Sequence, residues 1–292
     1  MAKVVTVMNM KGGVGKTTAS MHIASCAAAV EFGSNEPRRV LLIDYDPQFN
    51  LSQALLPAKS YYAIEADKKT ILSVLIEDDS ELNPYHLQVP GNESPPSVKT
   101  LAAPILSYKK SGSLHLVPST LDLMYVALGQ SNVSSKPIES RFEKFITECR
   151  SLYDLIIIDC HPAGSLFTKT SLRNSDYVLI PVASQRYAVR GIGLMKTFIE
   201  AKKQGSASPQ PIILFNLASR TGISPEEAQI RADPKYTKLC MNYSMKKYKA
   251  FSDLDGGKGF VWTNKNPYNK EAWSNLYYVT REFLQRIEMV KA

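Results

Sequence analysis

The chain has 292 residues, 44% of them hydrophobic and 21% charged, with a formal net charge of +8. This describes an ordinary globular protein with room for one large α/β domain or two small ones, and no apolar run approaches the ~20 residues that a membrane span needs. The basic balance points to a polyanionic partner, DNA or an anionic membrane surface, while four scattered cysteines (Cys26, Cys149, Cys160 and Cys240) with no C-x-x-C pair argue against a zinc or iron–sulfur site and for free thiols in a reducing cytoplasm.

In chain order, a β-branched apolar run at residues 4–8 comes first, near enough to the N-terminus to leave no room for a signal peptide. A helical pattern follows at 18–32 and a second strand-like run at 40–43. Residues 83–111 carry Pro84, Pro90, Gly91, Pro95, Pro96 and Pro104, a composition that favours a loop-rich insertion. Strand-like runs then recur at 114–117, 155–158, 177–181 and 212–215, with helical patterns at 140–152, 189–203 and 225–238 between or after them. Strands alternating with helices predict an α/β fold: a doubly wound, mostly parallel sheet with helices on both faces, in one domain over residues 1–292. The continuous apolar character of the strands suits a sheet covered on both sides. The tail, residues 273–292, repeats Leu276, Val279, Phe283, Ile287 and Val290 at helical spacing. Its polar face mixes Arg281, Arg286 and Lys291 with Glu282 and Glu288, which favours a helix docked on the core over a basic membrane anchor.

Three segments carry chemistry, and each follows a strand, where ligands bind in such sheets. The first is Lys11-Gly12-Gly13-Val14-Gly15-Lys16-Thr17-Thr18, between the first strand and the first helix. Glycines let backbone N–H groups curl around phosphate oxygens, and the helix points its positive end at the anion. Lys16 would lie along the β- and γ-phosphates, and the Thr17 hydroxyl would bind Mg²⁺. The second is Asp44-Tyr45-Asp46-Pro47-Gln48-Phe49-Asn50, in which the strand period of two sets Asp44 and Asp46 on one side. The third is a buried strand ending in a carboxylate, Leu155-Ile156-Ile157-Ile158-Asp159.

The first loop departs from the general phosphate-binding pattern, with Met10 where its first glycine would fall and a second lysine, Lys11, inside. With the other two segments, this resembles the deviant Walker A ATPases of the ParA/Soj/MinD family, and most closely the ParA-type partition ATPases. The resemblance implies a P-loop fold, ATP and Mg²⁺ as cofactors, and a homodimer formed with ATP in which Lys11 reaches the partner's phosphates. Gly12, Gly13, Val14, Gly15, Lys16, Thr17 and Thr18 would hold the nucleotide. Asp44 would support the Mg²⁺ shell through water, Asp159 would hold a water on the ion, and Asp46 would orient the attacking water. Asn216 matches the family's adenine-contacting asparagine, and Pro181 lies where the family closes its base pocket. His161-Pro162 stands where the family has two prolines, and the following Ala163-Gly164-Ser165 would sense the γ-phosphate as a switch.

The same resemblance implies a slow ATP hydrolase that binds DNA non-specifically and positions a plasmid or chromosome cargo. A ParB-like or other adaptor protein would stimulate it, and the protein would be cytoplasmic and nucleoid-associated. The densest basic stretch, Lys246, Lys247 and Lys249 with Lys235 and Lys238, is the expected DNA contact, and Lys202-Lys203 is a further basic pair. The chain starts at its first strand, so no N-terminal helix-turn-helix is expected. The alternatives are a MinD-like membrane-cycling ATPase, a P-loop tyrosine kinase, which the Tyr277-Tyr278 pair inside a predicted helix argues against, and an iron–sulfur relative, which the lack of a cysteine pair disfavours.

Overall fold

The apolar runs pair side by side into one eight-stranded sheet. The computed structural model describes residues 2–32, 38–77, 82–83, 87–92, 94–108, 112–128, 134–161, 166–184, 188–201 and 208–291. Its strands are β1 (Lys3–Val7), β2 (Arg38–Tyr45), β3 (Ala103–Tyr108), β4 (Gly112–Val117), β5 (Leu155–Cys160), β6 (Tyr177–Ala183), β7 (Gln210–Ala218) and β8 (Met245–Lys246). They lie in the order β3-β4-β2-β5-β1-β6-β7-β8, and every pair is parallel except the antiparallel β3–β4 edge.

The helices are α1 (Lys16–Ala29), α2 (Asn50–Leu55), α3 (Ala58–Ala66), α4 (Leu72–Leu75), α5 (Val98–Leu101), α6 (Leu123–Leu128), α7 (Lys136–Leu152), α8 (Leu166–Arg173), α9 (Ala188–Ala201), α10 (Pro225–Ala232) and α11 (Asn269–Arg286). The period of two sorts the strand side chains into two cores. Val4, Leu41, Ile43, Ile156 and Ile158 meet α7, α8 and α9 on one face. Val5, Val40, Leu42, Leu155 and Ile157 meet α1, α2 and α11 on the other. The doubly wound architecture expected from the alternation is therefore present.

Beyond the elements that the sequence reading did not name (β8, α2, α3, α4, α6 and α8), the structure differs from it in three places. Within 83–111, Val98–Leu101 is a helix whose Val98 and Leu101 are buried, and Ala103–Tyr108 is an edge strand. Pro104 is tolerated there because an edge strand can spare an N–H, and the register shifts just beyond it. The helix expected over 225–238 stops at Ala232, because Pro234 follows and disfavours helical geometry at Asp233. The C-terminal helix runs Asn269–Arg286 rather than to the end of the chain, and Glu288 turns at φ 60°.

The docked tail is as expected: Leu276, Val279 and Phe283 of α11 are fully buried against the core. Tyr277, inside this helix, stacks on Phe32. No helix among the described residues is long and apolar enough to cross a membrane. All four cysteines are free and buried.

Candidate active site

The P-loop runs from the end of β1 into α1, whose N-cap, Gly15, has left-handed backbone at φ 76°. Gly13 is also left-handed at φ 71°, so the loop curls as only glycines allow without strain. Lys11 is exposed at its tip. The loop is held from behind by Asn9, which is buried. Its Oδ1 accepts from Lys11 N at 3.0 Å and its Nδ2 donates to Pro181 O at 2.7 Å.

Across the loop lie three carboxylates. Parallel register sets Asp44 of β2 directly beside Asp159 of β5. Asp159 is buried and accepts from Ser20 Oγ at 3.0 Å and from the Thr17 hydroxyl. Burial pushes its carboxyl up to about 6 against these hydrogen bonds and the nearby Lys16 ammonium, and Asp46 adds to the rise. Asp44 is fully buried and pushed up to about 8, first by burial and then by the neighbouring Asp159 charge. Its Oδ2 accepts from Ser52 N at 2.8 Å and Ser52 Oγ at 2.7 Å. Asp46 is half-buried, and Ser119 Oγ fixes its backbone by donating to Asp46 O at 2.8 Å. Ser119 N in turn donates to Ser52 Oγ at 2.9 Å, so the two acidic residues share one support at the end of β4.

This donor set fits Mg²⁺. The ion prefers hard oxygen ligands, keeps several waters, and is bound through one or two carboxylates plus phosphate rather than an all-protein cage. Thr17 and Asp159 supply the hard oxygens, and among the described residues no trio of His, Cys, Asp or Glu forms a closed metal cage.

Beside the loop is a cavity of about 720 Å³. Thr18 and Asn216 form the wall next to the P-loop, and Arg220, Lys246, Tyr248 and Tyr268 line the rest. The Arg220 guanidinium lies 4.7 Å from the Tyr268 ring centroid and 5.8 Å from that of Tyr248. The cavity depends on the C-terminal helix. Asn275 accepts from Lys246 N at 2.9 Å, and buried Glu282 accepts from Asn242 N and Tyr243 N at 2.7 and 2.8 Å.

Lys16, Thr17, Asp44, Asp46, Asp159 and Asn216 thus converge around one loop. Pro181 does not line the cavity. It is buried within β6, beyond the last β1 pairing at Leu179, where its missing N–H costs no bond to that strand. Lys246, Lys247 and Lys249, the expected DNA contacts, line this cavity, and Lys247 and Lys249 are exposed. Lys235 and Lys238 are exposed on the turns after α10. His161 is half-buried and its N–H donates to Tyr45 O at 3.2 Å. Residues 162–165 and 202–203 lie outside the described residues, as does the Arg190 side chain.

Asn9, Ser20, Ser52 and Ser119 escaped the sequence reading. Ser20 had a signal, since it lies four residues after Lys16 on the same helix face. Ser119 has meaning only through partners distant in the chain, as does the bond from Asn9 to Pro181.

A family profile described as an AAA domain matches residues 2–209. The sporulation initiation inhibitor protein Soj of Bacillus subtilis is 30% identical over 226 residues, 76% of each chain. The chain belongs to the ParA/Soj family of P-loop ATPases. Among solved structures, a plasmid partition protein of Borrelia burgdorferi bound to AMPPNP is similar at TM-score 0.68, with 19% identity over 98% of this chain and all of that one. pNOB8 ParA bound to nonspecific DNA is similar at TM-score 0.64, with 20% identity over 99% of both chains.

Proposed function

We propose that this family member is an ATP-driven partition switch. It binds ATP with Mg²⁺, hydrolyses it slowly, pairs face to face with a second copy in the ATP state, and then holds DNA non-specifically while positioning a cargo. The observation that carries this reading is the gathering of Lys16, Thr17, Asp159 and Asp46 around one P-loop, with Lys11 exposed at its tip. Mg²⁺, when bound, neutralises charge on the β- and γ-phosphates. Lys16 would lie along those phosphates, Thr17 and Asp159 would hold the ion's oxygen shell, and Asp44 would support that shell through water. Asp46 orients the in-line water. Lys11 of each copy completes the other's site.

The adenosine half takes the cavity between Asn216 and the Tyr248 and Tyr268 rings. Two neighbours, one bound to AMPPNP and one to nonspecific DNA, support these ligands by likeness of fold. The exposed Lys235, Lys238, Lys247 and Lys249, with Lys246 beside them in the chain, are the candidates for DNA phosphates. A ParB-like adaptor would accelerate the slow intrinsic hydrolysis, and the working location would be the nucleoid.

The test is retention of a random-sequence duplex with ATP, with ADP and without nucleotide, at two salt concentrations, together with light scattering for the dimer. ATP-dependent, salt-sensitive binding that persists in Asp46→Ala, and dimerisation that is lost in Lys11→Ala, support the reading. Binding that is equal in all nucleotide states, or a Lys11→Ala protein that dimerises with ATP as the wild type does, sinks it.

A further inference from the structure

Asn216 lies near the end of β7, 202 positions along the chain from Val14. Its side-chain amide is buried and fully engaged. One Nδ2 donates to both Val14 O at 2.9 Å and Gly15 O at 3.0 Å, while Oδ1 accepts from Leu217 N at 2.9 Å. A peptide unit is planar and trans, so fixing a carbonyl also fixes the N–H on the opposite side of the same unit. The Val14 carbonyl shares its plane with the Gly15 N–H, and the Gly15 carbonyl shares its plane with the Lys16 N–H. Those are donors that a P-loop turns toward phosphate. Gly15 O also accepts the first α1 hydrogen bond, from Ala19 N at 2.9 Å, so the contact joins the loop to the start of the helix.

The fit is reciprocal. A Cβ at position 15 would lie 2.4 Å from Asn216 Nδ2, so the glycine that gives the loop its left-handed turn also makes room for the amide. On the other side, Leu217 is held at φ 54° in a register irregularity of β7 and lines the cavity. Non-glycine residues rarely hold that conformation except where surrounding structure enforces it.

We infer that Asn216 is a positioning residue for the phosphate loop: it clamps the Val14 and Gly15 peptide planes, so its loss weakens binding of the polyphosphate itself and not only of the base. The inference rests on the nucleotide reading above. It is distinct from an adenine contact, because it requires a loss for a ligand that has no base.

The experiment measures affinity for Mg-ATP and for Mg-tripolyphosphate in wild type, Asn216→Ala and Asn216→Leu. The leucine variant fills the volume without the donors and guards against a cavity effect. Hydrogen exchange of the 12–18 amides is followed in the nucleotide-free proteins. The expected result is an affinity loss of about tenfold to thirtyfold, the order set by two lost hydrogen bonds. It should appear with tripolyphosphate as well as with ATP, with faster exchange in the 12–18 segment and an unchanged thermal midpoint in at least one variant. A loss for ATP with none for tripolyphosphate, or unaltered exchange in that segment, overturns the clamp. A wild-type protein that binds neither ligand overturns the nucleotide reading and the clamp with it.

Discussion

Asp44→Asn should stabilise the nucleotide-free protein at neutral and alkaline pH. The carboxyl is fully buried beside Asp159, and its ordinary value of 3.8 is raised to about 8. The native state therefore keeps a proton that the unfolded chain releases, and stability falls as pH rises between about 4 and about 8. Each such proton contributes a slope of about 1.4 kcal/mol per pH unit. Asp159, raised to about 6, adds to the slope only in the lower half of that window. At pH 7 the Asp44 contribution has an upper bound of about 4 kcal/mol, and relaxation around a buried charge brings it to about 2 kcal/mol. Asparagine mimics the protonated acid and can still accept from Ser52. Urea denaturation with EDTA present, at about pH 4 and about pH 8, should give nearly equal stability for the two proteins at the lower pH. At pH 8 the variant should be more stable by about 2 kcal/mol. A variant that is less stable at pH 8, or a wild-type-like pH slope, would show that Asp44 is ionised in the empty site and would refute the electrostatic argument.

Three further outcomes follow from single contacts. Gly15→Ala forces a side chain into left-handed backbone and into Asn216, so nucleotide binding should be lost by calorimetry and stability should drop by about 1–3 kcal/mol. Arg141 is buried and donates to Ser73 O, Val74 O, Asn92 O and Ser94 O. A lysine cannot reach all four, so Arg141→Lys should cost about 3 kcal/mol and speed proteolysis around residues 90–96. His22 is buried and held down to about 4 by desolvation, with its Nε2 on Phe251 O at 3.1 Å. The unfolded chain binds that proton first, so stability is lost as pH falls from about 6.5 toward 4. His22→Gln should flatten this acid limb by about 1.4 kcal/mol per pH unit in a denaturation series.

What was legible in the sequence follows the range of the interactions. The six apolar strands and the P-loop announce themselves because their signals are contiguous: a β-branched run, then glycines, then a helical pattern. The same locality explains the carboxylates, since Asp44, Asp46 and Asp159 each end or follow a strand. The β8 edge has only two residues and no periodicity to read, yet it carries Lys246 to the cavity. Pro104 looked like a loop residue because a proline rarely reports which strand lies at an edge; only the sheet order does.

The parts of the site that hold the chemistry in place are the least legible, for a topological reason. In a doubly wound sheet, the strand order β2-β5-β1-β6-β7 brings together the carboxyl ends of segments spread from residue 3 to residue 218. Ser119 from the end of β4 supports Asp46, Asn9 ties Lys11 to Pro181, and Asn216 from β7 holds Val14 and Gly15. Ser119 and Asn9 have no motif of their own, and the hold of Asn216 on Val14 and Gly15 depends on carbonyls that only the fold places within reach. Such buried groups are costly when left unpaired, so each supporting contact ties the order of the loop to the packing of the whole sheet. The P-loop sequence therefore specifies what the site can bind, whereas the firmness of the loop depends on distant strand ends. A substitution at Ser119, far from Lys16 in sequence, should accordingly disturb the loop more than a substitution of an exposed residue much nearer to it along the chain.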